Sequence, residues 1–455
     1  MIFHNHFIGC IIVLVHFTSA VEFQSFLELQ QSVNGSSTHK RLAGEGEYVL
    51  HVTAYGAVGD GVRDDTEAFK NAWKMACSIS WRSTIIIPEG STYLVHPMDF
   101  AGCHAAVTLR ILGAIIAPKD PQVWRGLNPR KWLYFHGVKH LTLEGEGTIN
   151  GMGQGWWSLS CKTNSTIPCH HAPTAITFHR CKNLNVRDIS IVDSQQAHMS
   201  FTNCRDIVVT NVTVTAPAES PNTDGIHISA STDVRIMDSR IRTGDDCISI
   251  VSNSSRVVIT EIECGPGHGI SIGSLGRWNE WSKVKDITVD GVYLSNTQNG
   301  VRIKTWQGGA GMVSRVKFKN VWMENVSNPI IVDQYYCDSS KPCENQTSAV
   351  HIEKISFMGI RGTSASKEAI KFSCSDTSPC QGLYLEDIQL IFYTGTGVTT
   401  SFCWNALGSS SGLVYPPSCF PDNQSVVHRK PSYTSHIFSL LWKRKFIAYV
   451  KDILL

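Results

Sequence analysis

The sequence predicts an all-β protein that folds as a single-stranded right-handed parallel β-helix with an N-terminal capping helix. A loosely repeated unit indicates this fold, since each copy holds a short strand, a polar turn and a second strand. The β-branched residues of each unit alternate with polar ones, which excludes helical repeats and is typical of stacked coils. The copies begin 22 to 31 residues apart, at Ile176, Met199, Ile226, Ile248, Ile270 and Val301.

The period of two within each strand assigns its side chains to two faces. One set is expected inside the solenoid, where stacked coils bury a continuous core. This inner set consists of Ile226, Ile228, Ile248, Ile250, Ile270, Ile272, Val301 and Ile303. The intervening residues are expected on one outer face, and they are His227, Ser249, Ser271, Arg302 and Lys304.

A helix is predicted near the N-terminus, in the stretch from Val52 to Cys77. Its amphipathic pattern begins at Asp64-Asp65-Thr66, a sequence suited to a helix start, and we expect the helix to cover one end of the solenoid. No linker rich in proline and serine divides the chain after it. Residues 48–420 are therefore predicted to form one elongated domain.

Both ends of the chain differ from this domain. Residues 1–20 are predicted to be a signal peptide, because the apolar stretch from Phe7 to Phe17 is followed by small residues. An N-terminal extension, residues 21–47, comes next. The atypical C-terminal tail, residues 421–455, is basic and apolar, but its apolar runs are shorter than the ~20 residues of a membrane helix. A surface helix and a wrongly assigned gene end both stay open for this tail.

The 15 cysteines and seven N-glycosylation sequons indicate an extracellular protein. With Cys10 in the signal peptide an even number of cysteines remains, and the absence of a CxxC motif argues against zinc. Disulfides that clamp loops are expected, with free buried thiols as the alternative and the pairing left open. Closely spaced cysteines are Cys161 and Cys169, Cys337 and Cys343, Cys374 and Cys380, and Cys403 and Cys419. The sequons lie at Asn34, Asn164, Asn211, Asn253, Asn325, Asn345 and Asn423.

The charge of the chain limits the classes of partner that it can bind. A formal net charge of +2 with 17% charged residues gives no basic field of the kind that nucleic acid requires. Any recognition by charge must therefore be local.

A column of titratable residues stands two positions before successive strands, at Asp224, Asp246 and His268. Neighbouring strands lie ~4.7–4.9 Å apart, so these residues should be neighbours, with Asp245 beside them. Acidic residues at strand ends usually serve turns. Stacked carboxylates repel one another, however, and the resulting separation of pKa values is typical of a functional site.

Two chemistries could use these carboxylates. They could coordinate calcium, or they could divide acid and base roles in cleaving a glycosidic bond. An inverting hydrolase holds its two carboxyl groups ~6.5–9.5 Å apart and a retaining one ~5–5.5 Å apart. The strand spacing alone does not decide between them.

Four motifs in register resemble those of the polygalacturonases, glycoside hydrolase family 28, and most closely the plant branch. These motifs are SPNTDGIH (220–227), GDDC (244–247), GHG (267–269) and RIK (302–304), and the similarity extends from YGAVGDG near Val52 to YPPSC near Cys419. The resemblance implies a right-handed β-helix that needs no metal or other cofactor. It also implies hydrolysis of α-1,4 links between galacturonic acid residues, with inversion.

The resemblance also assigns the catalytic residues. Asp245 would be the general acid, while Asp224 and Asp246 would activate the water, and His268 would tune the protonation of the acid. Repulsion from the neighbouring carboxylates is expected to raise the pKa of Asp245, as a general acid requires.

The same resemblance implies a set of substrate contacts. Arg302 and Lys304 would bind the carboxylates of the substrate, and such cations are what a polyanionic sugar requires beside the scissile bond. Asn222 would position sugar hydroxyls, and Tyr336 matches a tyrosine that contacts substrate. Within the family pattern, Cys247 would pair with Cys264.

Three positions depart from the pattern or stand apart from the column. RWNEW (Arg277 to Trp281) replaces small polar residues with two tryptophans, which could stack on sugar or pack within the loop. Tyr335 replaces a smaller polar residue. His198 lies on an earlier coil, where we interpret it as structural or distal rather than catalytic.

The sequence thus predicts a monomeric polygalacturonase that is secreted to the cell wall and acts on pectin or polygalacturonate, without a membrane or nucleic-acid partner. The alternatives are an exo-polygalacturonase, a hydrolase of rhamnogalacturonan or xylogalacturonan, a calcium-dependent pectate lyase, and a wall-binding protein without catalysis. Asn222 and the pair of Arg302 and Lys304 favour plain polygalacturonate.

Overall fold

The computed structural model describes residues 47–103, 105–339 and 342–420. The predicted signal peptide, the tail from residue 421 and all of the predicted extension except Glu47 lie outside the described residues. Within them the chain forms a right-handed parallel β-helix, which confirms the predicted fold class. Its strands run from Tyr48 to Tyr415, while the predicted domain limits at 48 and 420 stay predictions.

All strand pairings are parallel and they form two sheets, here called sheet A and sheet B. Sheet A has 18 strands: β1 (Tyr48–His51), β2 (Asp60–Asp64), β3 (Ser83–Ile87), β4 (Thr92–Leu94), β6 (Val107–Ile111), β7 (Ala114–Ile116), β9 (Lys139–Glu144), β10 (Thr148–Asn150), β12 (Lys182–Val192), β14 (Arg205–Thr215), β16 (Thr232–Arg242), β18 (Ser255–Cys264), β20 (Trp281–Ser295), β22 (Ala310–Val326), β24 (His351–Met358), β25 (Arg361–Ser364), β27 (Cys380–Phe392) and β29 (Ala406–Tyr415).

Sheet B has 11 strands: β5 (Met98–Ala101), β8 (Lys131–His136), β11 (Thr174–His179), β13 (Met199–Thr202), β15 (Ile226–Ser229), β17 (Ile248–Ile250), β19 (Ile270–Leu275), β21 (Asn299–Trp306), β23 (Asn328–Tyr336), β26 (Glu368–Ser373) and β28 (Thr400–Trp404). The helices are α1 (Thr66–Ser78), α2 (Gln154–Trp157) and three 3-10 helices, Val52–Tyr55, Pro121–Trp124 and Arg277–Asn279.

The predicted register of sheet B is confirmed. The six predicted unit starts, from Ile176 to Val301, form one continuous row of paired residues across the sheet. The side chains expected inside are fully buried, because alternate residues of each strand face the interior of the solenoid. From β15 to β19 each inner row stacks isoleucine over isoleucine.

Helix α1 covers the N-terminal end of the solenoid, as predicted. It buries Phe69 and Trp73, and the Trp73 ring meets those of Phe100 and Phe135 edge to face at 5.1 and 6.0 Å. Asp65 precedes the helix, but its carboxylate accepts hydrogen bonds from Val58 and Gly59 rather than from the helix. Aromatic packing, together with a hydrogen bond from Trp73 Nε1 to the Ala101 carbonyl oxygen, therefore holds this cap.

Six disulfides brace the described coils. All four closely spaced pairs are bonded, and so is the pair that the family pattern implied, Cys247 with Cys264. Cys77 and Cys103 form a further disulfide that joins α1 to the loop after β5. Cys181 and Cys204 are free and buried, so the alternative expectation holds for these two residues. No helix among the described residues is long and apolar enough to cross a membrane.

Candidate active site

The outer face of sheet B carries a row of polar side chains across neighbouring strands. Tyr134, Thr177, Ser200, His227, Ser249, Ser271 and Arg302 are successive partners in this row. A cavity of about 480 Å³ lies over part of it, lined at one end by Lys131 and Tyr134 and at the other by Asn222 and Asp224. The column of carboxylates therefore stands at one end of an open polar cleft.

The coils approach each other closely where the column begins. A Cβ atom on Gly244 would lie 2.0 Å from the backbone oxygen of Ser220, and one on Gly269 would lie 2.0 Å from that of Asn299. Neither neighbour is a flexible side chain, so only glycine fits. These glycines fix the position of the titratable residues next to them, Asp245 after Gly244 and His268 before Gly269.

Asp246 lies at the centre of a charge cluster. Its Oδ1 atom accepts hydrogen bonds from Ser271 Oγ at 2.7 Å and Arg302 Nη2 at 2.9 Å, and its Oδ2 atom accepts one from Lys304 Nζ at 2.9 Å. The side chain is only 2% exposed, so two cations offset the cost of burying this carboxylate.

Arg302 and Lys304 face outward from sheet B, as predicted. Their side chains are nevertheless only 11% and 9% exposed, because both fold over Asp246. A substrate carboxylate that binds them must share them with Asp246.

Asp245 contacts His268 on the next coil. The Nδ1 atom of His268 lies 3.1 Å from Asp245 Oδ1, and the backbone N–H of His268 donates to the Asp245 carbonyl oxygen at 2.7 Å. Burial alone raises the pKa of Asp245, but the hydrogen bond and charge of His268 and the charge of Lys304 outweigh it, so the pKa is lowered. The expectation that repulsion raises the pKa of Asp245 is therefore wrong.

Asp224 carries the opposite shift. Burial, followed by the negative charges of Asp245 and Asp246, raises its pKa well above the usual range. Its Oδ2 atom accepts a 2.7 Å hydrogen bond from Ser249 Oγ, which in turn lies 2.8 Å from His227 Nδ1. Of Asp224 and Asp245, it is therefore Asp224 whose surroundings favour the protonated form.

The hydroxyl groups of Ser249 and Ser271 were not recognised from the sequence as partners of the carboxylates. Each occupies the single outward position between two inward isoleucines, directly beside the column. That position was the available signal, because a small hydroxyl there reaches the carboxylate of the neighbouring coil.

His198 contacts the backbone of the column at Asp224. It is fully buried, its backbone N–H donates to the Asp224 carbonyl oxygen at 2.8 Å, and its Nδ1 atom lies 3.1 Å from the same oxygen. Burial lowers the pKa of His198 to about 4. A neutral histidine in this place agrees with the structural interpretation of this residue.

The two remaining predicted contacts lie on either side of the column. Asn222 has a left-handed backbone conformation with φ of 55° and lines the cavity beside Asp224. Tyr336 lies beyond β21, where Lys304 Nζ is 5.4 Å from its ring centroid and burial raises its pKa to about 12. All eight predicted site residues therefore lie along one stretch of the outer face.

Asp245, Asp246 and His268 offer ligand atoms within 4.8 Å of one another, which a metal ion could use. Their chemistry does not suit calcium, which takes six to eight oxygen ligands. Both carboxylate oxygens of Asp246 already accept from Arg302 and Lys304, and these cations would repel a divalent ion. The arrangement favours acid and base chemistry over metal binding.

Known proteins resemble this chain over most of its length. Residues 77–411 match the family described as glycosyl hydrolases family 28. A probable polygalacturonase of Arabidopsis thaliana is 57% identical over 412 residues, which cover 90% of this chain and 92% of that protein. A polygalacturonase of Persea americana is 49% identical over 393 residues, covering 86% of this chain and 83% of that protein.

A solved structure supports the fold alone. The endo-xylogalacturonan hydrolase from Aspergillus tubingensis superimposes with a TM-score of 0.68 at 23% identity, covering 80% of this chain and 99% of that chain.

Proposed function

The chain belongs to family 28 of the glycosyl hydrolases, and from this premise we propose that it is a polygalacturonase that hydrolyses α-1,4-galacturonosyl links in de-esterified pectin. It is accordingly a glycoside hydrolase. The observation that supports polygalacturonate as its substrate is the pair of cations, Arg302 and Lys304, held over Asp246 beside the other carboxylates.

The cations explain why an acidic sugar fits this cleft. A neutral sugar offers two nearly buried cations only uncharged oxygen acceptors, whereas a galacturonate carboxylate forms stronger, charge-assisted hydrogen bonds with both. The proposal is that the substrate carboxylate joins Asp246 on Arg302 and Lys304, while Asn222 positions sugar hydroxyls and Tyr336 contacts the adjoining ring.

In the proposed reaction Asp245 protonates the leaving glycosidic oxygen while Asp224 and Asp246 activate a water for inverting attack. The lowered pKa of Asp245 in the empty cleft opposes this role. A bound uronate changes its surroundings, since it takes up part of the charge of Lys304 and adds a negative charge nearby. Both effects raise the pKa of Asp245, so the substrate itself completes the acid.

The same binding event acts on Asp224. Its raised pKa belongs to a cluster of interacting carboxylates that share protons. As Asp245 takes up a proton in the complex, its repulsion of Asp224 falls, which favours ionisation of Asp224 and opposes the effect of the charge that Lys304 gives up to the uronate. The proton moves within the cluster, and no metal or other cofactor is required.

We further infer that the enzyme is secreted and acts as a monomer in the cell wall. Six disulfides are typical of proteins that fold in an oxidising compartment. Five sequon asparagines are exposed, Asn164, Asn211, Asn253, Asn325 and Asn345, while Asn34 and Asn423 lie outside the described residues.

The test is incubation of the purified protein with polygalacturonate in excess chelator, with the products resolved by size. Saturated oligomers would establish internal cleavage, and saturated monomer would establish cleavage from chain ends. Ultraviolet-absorbing unsaturated products, or activity that disappears with the chelator, would replace the proposal with a calcium-dependent lyase. The absence of any product at all tested pH values would contradict catalysis.

A further inference from the structure

The loop from Arg277 to Trp281 follows β19 and ends on the first residue of β20, and it displays an unusual tryptophan. The Trp278 side chain is 85% exposed and its backbone is left-handed, with φ of 59° and ψ of 36°. A bulky residue rarely adopts this conformation, and such strain concentrates at functional sites. Because its indole is so exposed, Trp278 also buries too little apolar area to stabilise the fold. Packing therefore does not explain Trp278.

A continuous series of contacts joins this loop to the carboxylate column. Lys304, which bonds to Asp246, lies over the Tyr336 ring, and Tyr336 meets Trp306 edge to face with ring centroids 5.4 Å apart. The guanidinium carbon of Arg277 lies 5.1 Å from the Trp306 ring and 5.0 Å from the Trp278 ring. The loop thus borders the cleft on the side of β21 and β23, opposite the cavity near Tyr134.

Among the described residues, no carboxylate pairs with the positive charge of Arg277. No salt bridge joins it to a carboxylate anywhere in residues 47–103, 105–339 and 342–420, whereas Arg302 is bound to Asp246. A guanidinium held between two indole faces is kept in place by cation–π attraction and still presents N–H groups to an anion. It is thus preorganised for a carboxylate that the protein does not supply.

We propose that Arg277 and Trp278 form a binding subsite for one galacturonosyl residue of the substrate, next to the one held by Arg302 and Lys304. Trp278 stacks on the apolar C–H face of the sugar ring, and Arg277 pairs with the ring's carboxylate. The inference rests on the proposed function and adds a substrate contact on loop residues that depart from the family pattern. Because Trp278 is so exposed, it does not press against the opposite wall and does not close the cleft.

The test measures binding of long and short oligogalacturonates by calorimetry in the inactive Asp245→Asn background, together with kcat and KM in the otherwise native enzyme. Trp278→Ala is expected to weaken binding of the long oligomers roughly threefold to tenfold, mainly through KM, and Trp278→Phe to restore part of it. The affinity for oligomers too short to reach the loop should not change in Trp278→Ala. Arg277→Gln should weaken binding of the de-esterified oligomer more than that of its methyl ester.

Trp322→Ala is the matched control, because Trp322 is 53% exposed but lies on β22 in sheet A, away from the cleft. Equal affinity for long oligomers in Trp278→Ala and the control would overturn the subsite, and so would tighter binding or faster turnover, which would show that the loop obstructs the cleft. If the native protein neither binds nor cleaves polygalacturonate, the proposed function fails with it. If the native protein is active and only the tryptophan effect is missing, the subsite alone fails.

Discussion

The ammonium group of Lys304 lies 2.9 Å from Oδ2 of Asp246. The cation that we propose for substrate binding therefore also offsets the charge of an active-site carboxylate. This contact couples binding to catalysis. A uronate that engages Lys304 also alters the field at Asp245 and Asp224, both of which respond to the charge of Lys304.

Replacement of the proposed general acid should abolish hydrolysis without unfolding the protein. Asp245→Asn keeps the shape of the side chain but cannot donate a carboxylic proton, and we expect kcat to fall by a factor of ~10²–10⁴. Asp238→Asn, at an exposed position of β16 in sheet A, is the control and should keep full activity. The measurement is release of reducing ends, with a thermal melt to verify folding. Undiminished activity in Asp245→Asn would remove Asp245 from the mechanism.

Removal of the coupling cation should discriminate between substrates. Lys304→Ala is expected to lower kcat/KM on polygalacturonate by roughly 10- to 100-fold, since a charge-assisted hydrogen bond contributes ~1.5–3 kcal/mol. The loss should be smaller on methyl-esterified pectin, which offers fewer carboxylates. Lys319→Ala, which removes the partner of Asp290 on sheet A, should change neither value. An equal loss on both substrates would mean that Lys304 acts only by holding Asp246.

The pH profiles of the free enzyme and of its complex should differ. The profile of kcat/KM follows the free enzyme, in which the pKa of Asp245 is lowered, and the profile of kcat follows the complex, in which the substrate is proposed to raise it. Activity should be greatest in mildly acidic solution, and the alkaline limb of kcat should lie at higher pH than that of kcat/KM. Initial rates across a pH series would measure both. Coincident limbs would contradict a substrate-induced shift, and a flat profile into alkaline solution would contradict the assignment of the acid.

Asp224 should make the folded state sensitive to pH. Its pKa is raised on folding, so the folded protein binds this proton more tightly than the unfolded chain does. The resulting stability is present below the ordinary carboxyl pKa of ~4 and is lost as the pH rises through the raised value. Asp224→Asn should therefore melt at a higher temperature than the native protein at pH 7, with the difference narrowing in acid.

Asp233→Asn gives the opposite control, because the hydrogen bond and charge of Arg256 lower the pKa of Asp233. Its carboxylate contributes stability above the ordinary pKa and loses it as the pH falls, so this variant should melt slightly lower at pH 7. Melting curves of the native protein and of both variants at several pH values test the two expectations. A lower melting temperature of Asp224→Asn at every pH would show that Asp224 is not held protonated.

The register of the coils was predictable because buried isoleucines alternate with single polar residues from Ile226 to Ile303, and such a strict period of two fixes both faces. The coils before Thr174 were less visible, since β4, β7 and β10 lack the pattern of a polar residue between two isoleucines that marks β17. The disulfide between Cys77 and Cys103 escaped prediction because its partners are 26 residues apart.

The membership of the carboxylate column followed from the same register, but its protonation did not. Whether Asp245 or Asp224 holds a proton depends on the direction of the His268 ring and on which carboxylate Lys304 touches. Those are side-chain orientations, which spacing along the chain does not encode. The hydroxyl bonds of Ser249 and Ser271 were missed for the same reason.

The coil register also separates the chemistry from the length of the loops. Asp224, Asp246 and His268 each stand at a fixed rung before β15, β17 and β19, although the intervening chain differs in length from coil to coil. Extra residues, such as Arg277 to Glu280, are accommodated outside the ladder. Insertions and deletions in the turns can therefore reshape what the cleft accepts while the spacing of the reacting groups stays constant, and this makes the turns the natural place to engineer a new specificity.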